Sequence, residues 1–282
     1  LSTGILLMVG GVKLMLGTSN FQILNLTAEP YLIIQNIGWI PVGIVIGVAA
    51  SVLTLLLLEN KILPAAIIVV LGGLIFGLTF GTHEGFEHVK IGIHLPRFLP
   101  YGWPSAADFT FALLALVLPQ IPMTLGNAVI AYADLSKEYF GEQSKRITYK
   151  SACVSMALAN FFSSSIGGMP LCHGAGGLAA HYRFGARTAG SNLMIGVIFA
   201  ALAVFLGRHS LVIIHLLPLS VLGVLLLFAG SQLALTVLDL RNRKELFVCL
   251  IILGITLASN LAAGFITGIA VAFLLSWKKL SV

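Results

Sequence analysis

The chain has 282 residues, 58% of them hydrophobic and only 9% charged, with a mean hydropathy of +1.02. A soluble domain carries about 25% charged residues, so this composition excludes one and indicates a chain solvated by lipid. The net charge of +6 does not indicate nucleic-acid binding, because Lys and Arg sit in short loops between apolar runs and not on one polar face.

The whole of 1–282 reads as a single transmembrane domain, with apolar runs of about 20 residues, enough to cross about 30 Å of hydrocarbon, recurring from end to end. The chain opens in such a run, without Met or a charged stretch before a cleavage site, and is read as an internal start and not a signal peptide. Ten segments are predicted. The first covers 1–16 and, after a polar connection with Asn20, Asn25 and Pro30, the second covers 38–58. A tight turn at Glu59, Asn60 and Lys61 leads into the third, 62–80. The long stretch 81–107, with His83, His88 and His94, is the main exposed loop.

The fourth segment, 108–134, contains Pro119 and Pro122 and is expected to break near Gln120, since proline removes a backbone donor and bends the axis. The fifth spans 147–162. A sixth element is predicted as an extended stretch through Pro170 and a short helix over 174–182. The seventh covers 189–207 and the eighth 211–238, with kinks expected at Pro218 and at Gly230-Ser231. The ninth, 246–259, and tenth, 261–277, meet at Ser259-Asn260 with almost no loop. Cys153, Cys172 and Cys249 are scattered among these segments without paired spacing, so neither disulfides nor a zinc site is indicated, and no cofactor or metal is expected.

Alternating the segments puts Lys61, Lys137, Lys145, Arg146, Lys150, Arg183, Arg187, Arg241, Arg243, Lys244, Lys278 and Lys279 on one side and Lys13, Lys90, Arg97 and Arg208 on the other. Positive residues favour the cytoplasm, so the C-terminus is expected there, in the plasma (inner) membrane. The same alternation makes the sixth element cross the bilayer, although its helix is too short to do so alone. A strand-like half followed by a half-helix meets that demand and aims a helix N-terminus, with unpaired N–H groups and about half a positive charge, at the bilayer centre.

That sixth element, SSSIGGMPLCHGAGGLAAHYRFGART over 163–188, has the wrong composition for its surroundings. Irregular backbone at membrane depth is tolerated where protein buries it or where it lines a cavity, so it marks a candidate binding site. Gly167, Gly168, Gly174, Gly176 and Gly177 let backbone N–H groups approach a ligand with no Cβ in the way. Ser163, Ser164 and Ser165 add hydroxyls, Cys172 a weak donor, and His173 a neutral donor or a positive charge. This inventory suits a small oxyanion better than a metal ion. A second polar set, Gln120, Thr124 and Asn127, shares one helix face by its spacing of four and three if the helix is intact there. Each has a blander reading that stays open: close helix packing for the glycines, backbone capping for the serines, a structural hydrogen bond for His173, packing for Cys172, and interhelical bonding for the second set. Arg183 and Arg187 read as anchors of the cytoplasmic end. An enzyme with Cys172 as nucleophile and His173 as base is disfavoured, because adjacent residues seldom face each other on a helix and no orienting third group is evident.

The motifs PQIPMTLGNAV, 119–129, and GGMPLCHGAGGLAAHYRFGART, 167–188, resemble the molybdate transporter family, expected to belong with the sulfate permease (SulP) superfamily. The resemblance implies an all-α polytopic membrane protein of two inverted seven-helix repeats with core and gate domains, an N-terminal part absent, and a short strand and half-helix near 166–182. Residues 1–80 would end the first repeat as gate-like helices five to seven, and 108–282 would form the second. The implied function is secondary active transport of an inorganic oxyanion, with molybdate favoured by the motif, by elevator-type alternating access. The site carried over is Gln120, Thr124, Asn127, Met169, Cys172, His173 and Gly174, with no catalytic residue and no cofactor. Implied partners are the oxyanion, the lipid bilayer and a homodimer mate, with no nucleic acid. A sulfate or other anion permease, and a non-transporting membrane subunit, are the alternatives.

Overall fold

The computed structural model describes residues 1–60 and 63–277. Lys61, Ile62, Lys278 and Lys279, used above for a helix boundary and the charge asymmetry, lie outside the described residues. Helix dominates, as an apolar chain requires when every backbone N–H and C=O must be paired without water. In chain order the helices are α1 Ser2–Leu16, α2 Asn20–Asn25, α3 Val42–Leu57, α4 Ala65–Phe80, α5 Ala106–Phe111, α6 Leu118–Met123, α7 Tyr132–Phe140, α8 Tyr149–Ser165, α9 Ala175–Arg183, α10 Gly190–Leu206, α11 Ser210–Ile214, α12 Leu219–Leu235, α13 Arg243–Ala258 and α14 Leu261–Leu275. Among the described residues the one sheet is an antiparallel hairpin of β1, Asn36–Ile37, and β2, Ile40–Pro41, with Asn36 opposite Pro41.

Four described stretches are long and apolar enough to cross a membrane: Ser2–Asn25, Ala106–Ser144, Gly190–Ile214 and Leu219–Leu238. The helices α3, α4 and α14 are apolar but shorter. The chain is therefore polytopic, although length alone supports fewer crossings than the ten segments predicted.

By contact the chain divides into two compact units. One contains Leu1–Leu6, Pro96–Ala179 and Gly230–Val282; the other contains Leu7–Leu95 and Ala180–Ala229. In the first, α13 and α14 form a helical hairpin whose turn is fixed by Asn260, the side chain of which accepts the Ala263 N–H. The two backbones lie close: a Cβ on Gly264 would sit 2.8 Å from the Ile252 carbonyl oxygen. In the second, α1 and α12 cross at Gly11 and Gly223, where a Cβ on either would lie within 2.4–2.5 Å of the other's carbonyl oxygen. Small residues allow such approach where helices have no hydrophobic drive to associate. The irregular connection 26–35 has its backbone satisfied partly by residues 80–82, the Ile33 N–H donating to the Phe80 carbonyl and the Thr82 N–H to that of Tyr31, and partly by amide side chains. Gln22 donates to the Leu14 and Ala28 carbonyls, and Gln35 to those of Glu29 and Leu32.

Four expectations are corrected. The second segment starts as helix at Val42, because Gly38, at φ +63°, turns the chain into the hairpin first. The helix from Ala106 to Phe140 is not interrupted at Gln120: residues from Val117 to Thr124 keep right-handed helical angles, and two π-helical stretches, Ala112–Val117 and Thr124–Ala131, absorb the prolines. A wider turn is one way a helix accommodates a missing donor and a bulky ring. The eighth segment divides ahead of α12, at 215–218, beside the predicted Pro218, so that it is two helices and not one. Finally, the extended half of the sixth element is not a strand in a sheet, for reasons that concern the candidate site itself.

Candidate functional site

The candidate site lies within the first unit, where the chain leaves α8 and enters α9. The end of α8 is closed by Gly167, at φ +72°: its N–H donates to the Ser164 carbonyl while the Gly168 N–H donates to that of Ser163. This is the Schellman arrangement, which needs a left-handed residue and here finds glycine. Two of the three serines serve the same helix end, since Ser164 and Ser165 both donate to the Phe161 carbonyl. Pro170 then lacks the donor needed to resume a helix.

From Met169 to His173 the chain is in neither helix nor sheet, and α8 side chains take the place of a strand partner. Asn160 accepts the Leu171 N–H at 2.8 Å and donates to the Leu171 carbonyl at 2.7 Å, while Ser163 donates to the Met169 carbonyl at 2.8 Å. One carboxamide thus pairs both polar groups of one residue, as a neighbouring strand would. Gly174, at φ +47°, turns the chain into α9; its carbonyl accepts the Gly177 and Leu178 N–H groups, which leaves those of Ala175 and Gly176 without an acceptor within the helix.

The facing wall is the π-helical stretch after α6. Asn127 is half-buried there, with Nδ2 3.9 Å from the point a Gly174 Cβ would occupy; Cys172 Sγ is 3.6 Å from the same point. Five residues on, Tyr132 stacks against His173, ring centroids 4.9 Å apart at 20°. A π turn brings residues five apart onto one side, so the wide turn is what presents Asn127 and Tyr132 together. The far side of the imidazole is held by α8: Ser155 Oγ lies 2.6 Å from His173 Nε2. If Ser155 donates, Nε2 is the acceptor and Nδ1 carries the proton.

Of the sequence-predicted site residues, the structure brings together Asn127, Cys172, His173 and Gly174. Gln120 is exposed and Thr124 half-buried, and no hydrogen bond among the described residues ties either to the 172–174 turn. Met169 contributes its carbonyl to the clamp, but its side chain is 81% exposed at the rim. A cavity of about 330 Å³ lies beside it, between Asn160 and Ala157 of α8 and the Gly168 to Pro170 backbone. Sequence reasoning missed Ser155, Asn160 and Tyr132. A polar Asn160 inside apolar α8 was a usable signal, whereas nothing local distinguished Tyr132. At the other end of α9, Arg187 lies 3.8 Å over the Tyr182 ring and donates to the Tyr182 and Ala186 carbonyls, a favourable place for a cation.

Chemically, the turn offers backbone N–H groups, a carboxamide and an imidazole within one small volume, which are oxyanion-binding groups. Apolar helices of membrane length, together with an irregular, glycine-flanked half-helix, define an integral membrane protein with a candidate binding site in its backbone break. Residues 112–233, which contain all the assembled groups, match the family described as "Molybdate transporter of MFS superfamily". The chain is 36% identical over 212 residues to "Molybdate transporter 1" of Chlamydomonas reinhardtii, an alignment covering 73% of this chain and 40% of that protein. It is 33% identical over 220 residues to "Molybdate transporter 2" of Arabidopsis thaliana (77% and 46%) and 34% over 209 residues to "Molybdate transporter 1" of the same plant (73% and 44%). The chain therefore spans less than half the length of these relatives. All carry the name of transporters and none that of an enzyme. The family's description names the MFS superfamily and not the sulfate permeases.

Proposed function

We propose that this chain is part of a secondary transporter for molybdate, and that the anion is held where α9 begins. The observation that carries the reading is the juxtaposition of Asn127 and His173 with the first two N–H groups of α9, those of Ala175 and Gly176, at a Gly174 that leaves their approach open. Similarity to three proteins named as molybdate transporters supplies the choice of anion. In this reading Asn127, Cys172, His173 and Gly174 touch the substrate, Thr124 and Gln120 line the approach, and Met169 marks the rim. A tetrahedral dianion accepts hydrogen bonds from every donor in that set, and low dielectric strengthens each bond relative to water.

The reading also includes elevator-type alternating access, the inverted seven-helix arrangement shared with sulfate permeases, a cytoplasmic C-terminus in the plasma membrane, and a homodimer. These parts rest on the sequence motifs and the charge asymmetry. Uptake of molybdate by the full-length protein in proteoliposomes tests the core of it: saturable uptake, resistant to excess sulfate, is the expected result, and Asn127→Ala with His173→Ala abolishes it. Uptake that survives the double substitution would remove the site, and uptake blocked by sulfate would turn the assignment toward a general anion permease.

A further inference from the structure

The second unit contains a buried acid that the proposed transport site does not use. Glu29, in the connection between α2 and β1, is fully buried at 0% exposure. Its Oε2 accepts the Leu219 N–H at 2.9 Å and its Oε1 the Ser220 N–H at 2.7 Å. These are the first two residues of α12, whose N–H groups lack acceptors within the helix. A carboxylate 190 residues away in sequence thus caps α12, and the positive end of the helix favours its charge.

The same connection grips the chain on the other side of Pro218. The Tyr31 ring stacks on His215 at 3.9 Å and 10°, at the joint between α11 and α12. From α4, Gly77 meets this joint backbone to backbone, since a Cβ there would overlap the Leu216 carbonyl oxygen at 1.7 Å. The joint is thereby fixed at two points, one through Glu29 and one through His215. The titratable and charged groups facing it are Tyr31 from the connection, Glu84 from the loop after α4, which acts on both Tyr31 and His215, and His215 itself. The α3 helix presents Gly43, 3.5 Å from Glu29 Oε1 at its Cβ position, and α1 presents the Met15 carbonyl to the same glycine. No Lys or Arg among the described residues pairs with Glu29. Burial pushes the Glu29 carboxyl above the usual range, opposed in part by its hydrogen bonds to Ser220 and Leu219.

We propose that Glu29 is a proton-binding site, and that taking up a proton releases the first turn of α12 from the 26–35 connection. The anion has two accepting oxygens, one for each N–H. The neutral acid keeps one good acceptor and gains an O–H that itself needs an acceptor, for which the buried Ser220 hydroxyl stands beside it. One capping bond is therefore lost when the proton arrives. Because the folded-state value is raised, the stabilising contribution of Glu29 is fully present below the ordinary carboxylate value and fades as pH rises through its own. Acid thus favours the folded protein through this group while loosening one helix end. His215, lowered by burial, acts in the opposite sense: its contribution is present above the ordinary imidazole value and fades as pH falls through its own.

The test needs no substrate and so stands apart from the transport reading. Full-length protein in lipid nanodiscs is titrated from neutral to acid pH by infrared spectroscopy, with hydrogen exchange followed over the first turn of α12. The wild type should develop the band of a buried protonated carboxyl, absent in Glu29→Gln. After correction for intrinsic rates, the 219–222 amides should exchange roughly fivefold or more faster once that band has formed. Glu29→Gln, which also offers one acceptor and one donor, should exchange at the fast rate at every pH. A wild type whose α12 start stays equally protected across the titration overturns the proposal, even if the variant fails to fold. So does a folded Glu29→Gln protein that keeps the wild-type band and pH response.

Discussion

Two stretches of the first unit look alike in sequence, each with helix-breaking residues inside apolar chain, and they fold in opposite ways. Around Pro119 and Pro122 the helix continues and only widens, through π-helical turns on either side of α6. Between Gly167 and Gly174 it stops, runs without regular structure and starts again as α9. A proline removes one donor and crowds one turn, which a wider turn accommodates without leaving helical angles. A glycine in the left-handed region redirects the chain, and Pro170 keeps it from turning back. The difference decides where ligand-facing amides become available: the first stretch keeps its backbone paired and presents side chains, whereas the second frees backbone N–H groups.

The comparison breaks most readily at Asn160. Replacing it with Leu leaves the Leu171 N–H and carbonyl without their partners, and should lower stability by about 1–3 kcal/mol, read from thermal unfolding of the full-length protein in nanodiscs. Hydrogen exchange at 169–174 should rise with it. Unchanged protection there would mean that the break holds without its clamp. Gly174→Ala comes next. The site has room for a methyl group, with its nearest neighbours at 3.6 and 3.9 Å, so the cost is the left-handed backbone, about 1–2 kcal/mol. Molybdate uptake should fall further than that loss of stability explains, because the methyl narrows the approach to α9; uptake that tracks stability alone would argue against a ligand at this turn. Pro122→Ala should have the smallest effect, under about 1 kcal/mol, since the π turns already absorb the ring. A gain near 3 kcal/mol, as expected for relieving an unaccommodated proline, would show that they do not.

Much of the local architecture was legible. The α9 helix begins at Ala175, beside the predicted 174, because Gly174 and the glycines after it mark the change of backbone. The tight turn between α13 and α14 was likewise visible at Ser259-Asn260, where Asn is a strong capping residue. Partners distant in sequence were not legible. Asn160 meets Leu171 and Glu29 meets Ser220 only after folding, and no local pattern announces either pair. The expected short strand is absent from any sheet among the described residues for a related reason: side chains of the preceding helix meet the hydrogen-bonding demand that a neighbouring strand would. Of the second polar face, helical spacing placed Gln120, Thr124 and Asn127 together, but the π turn beginning at Thr124 changes that register and leaves Asn127 as the member beside Gly174.

The crossing of α1 and α12 has a mechanical consequence. At Gly11 and Gly223 the helices touch through main-chain atoms, and the Met15 and Leu14 side chains of α1 pack beside Gly223 as well. Interdigitated side chains resist rotation because turning one helix forces rotamers out of their wells, whereas a contact of peptide planes has no rotamers to dislodge. The carbonyl contacts therefore fix how close the two rods lie, while Met15 and Leu14 against Gly223 gear them together and set the resistance to rotation.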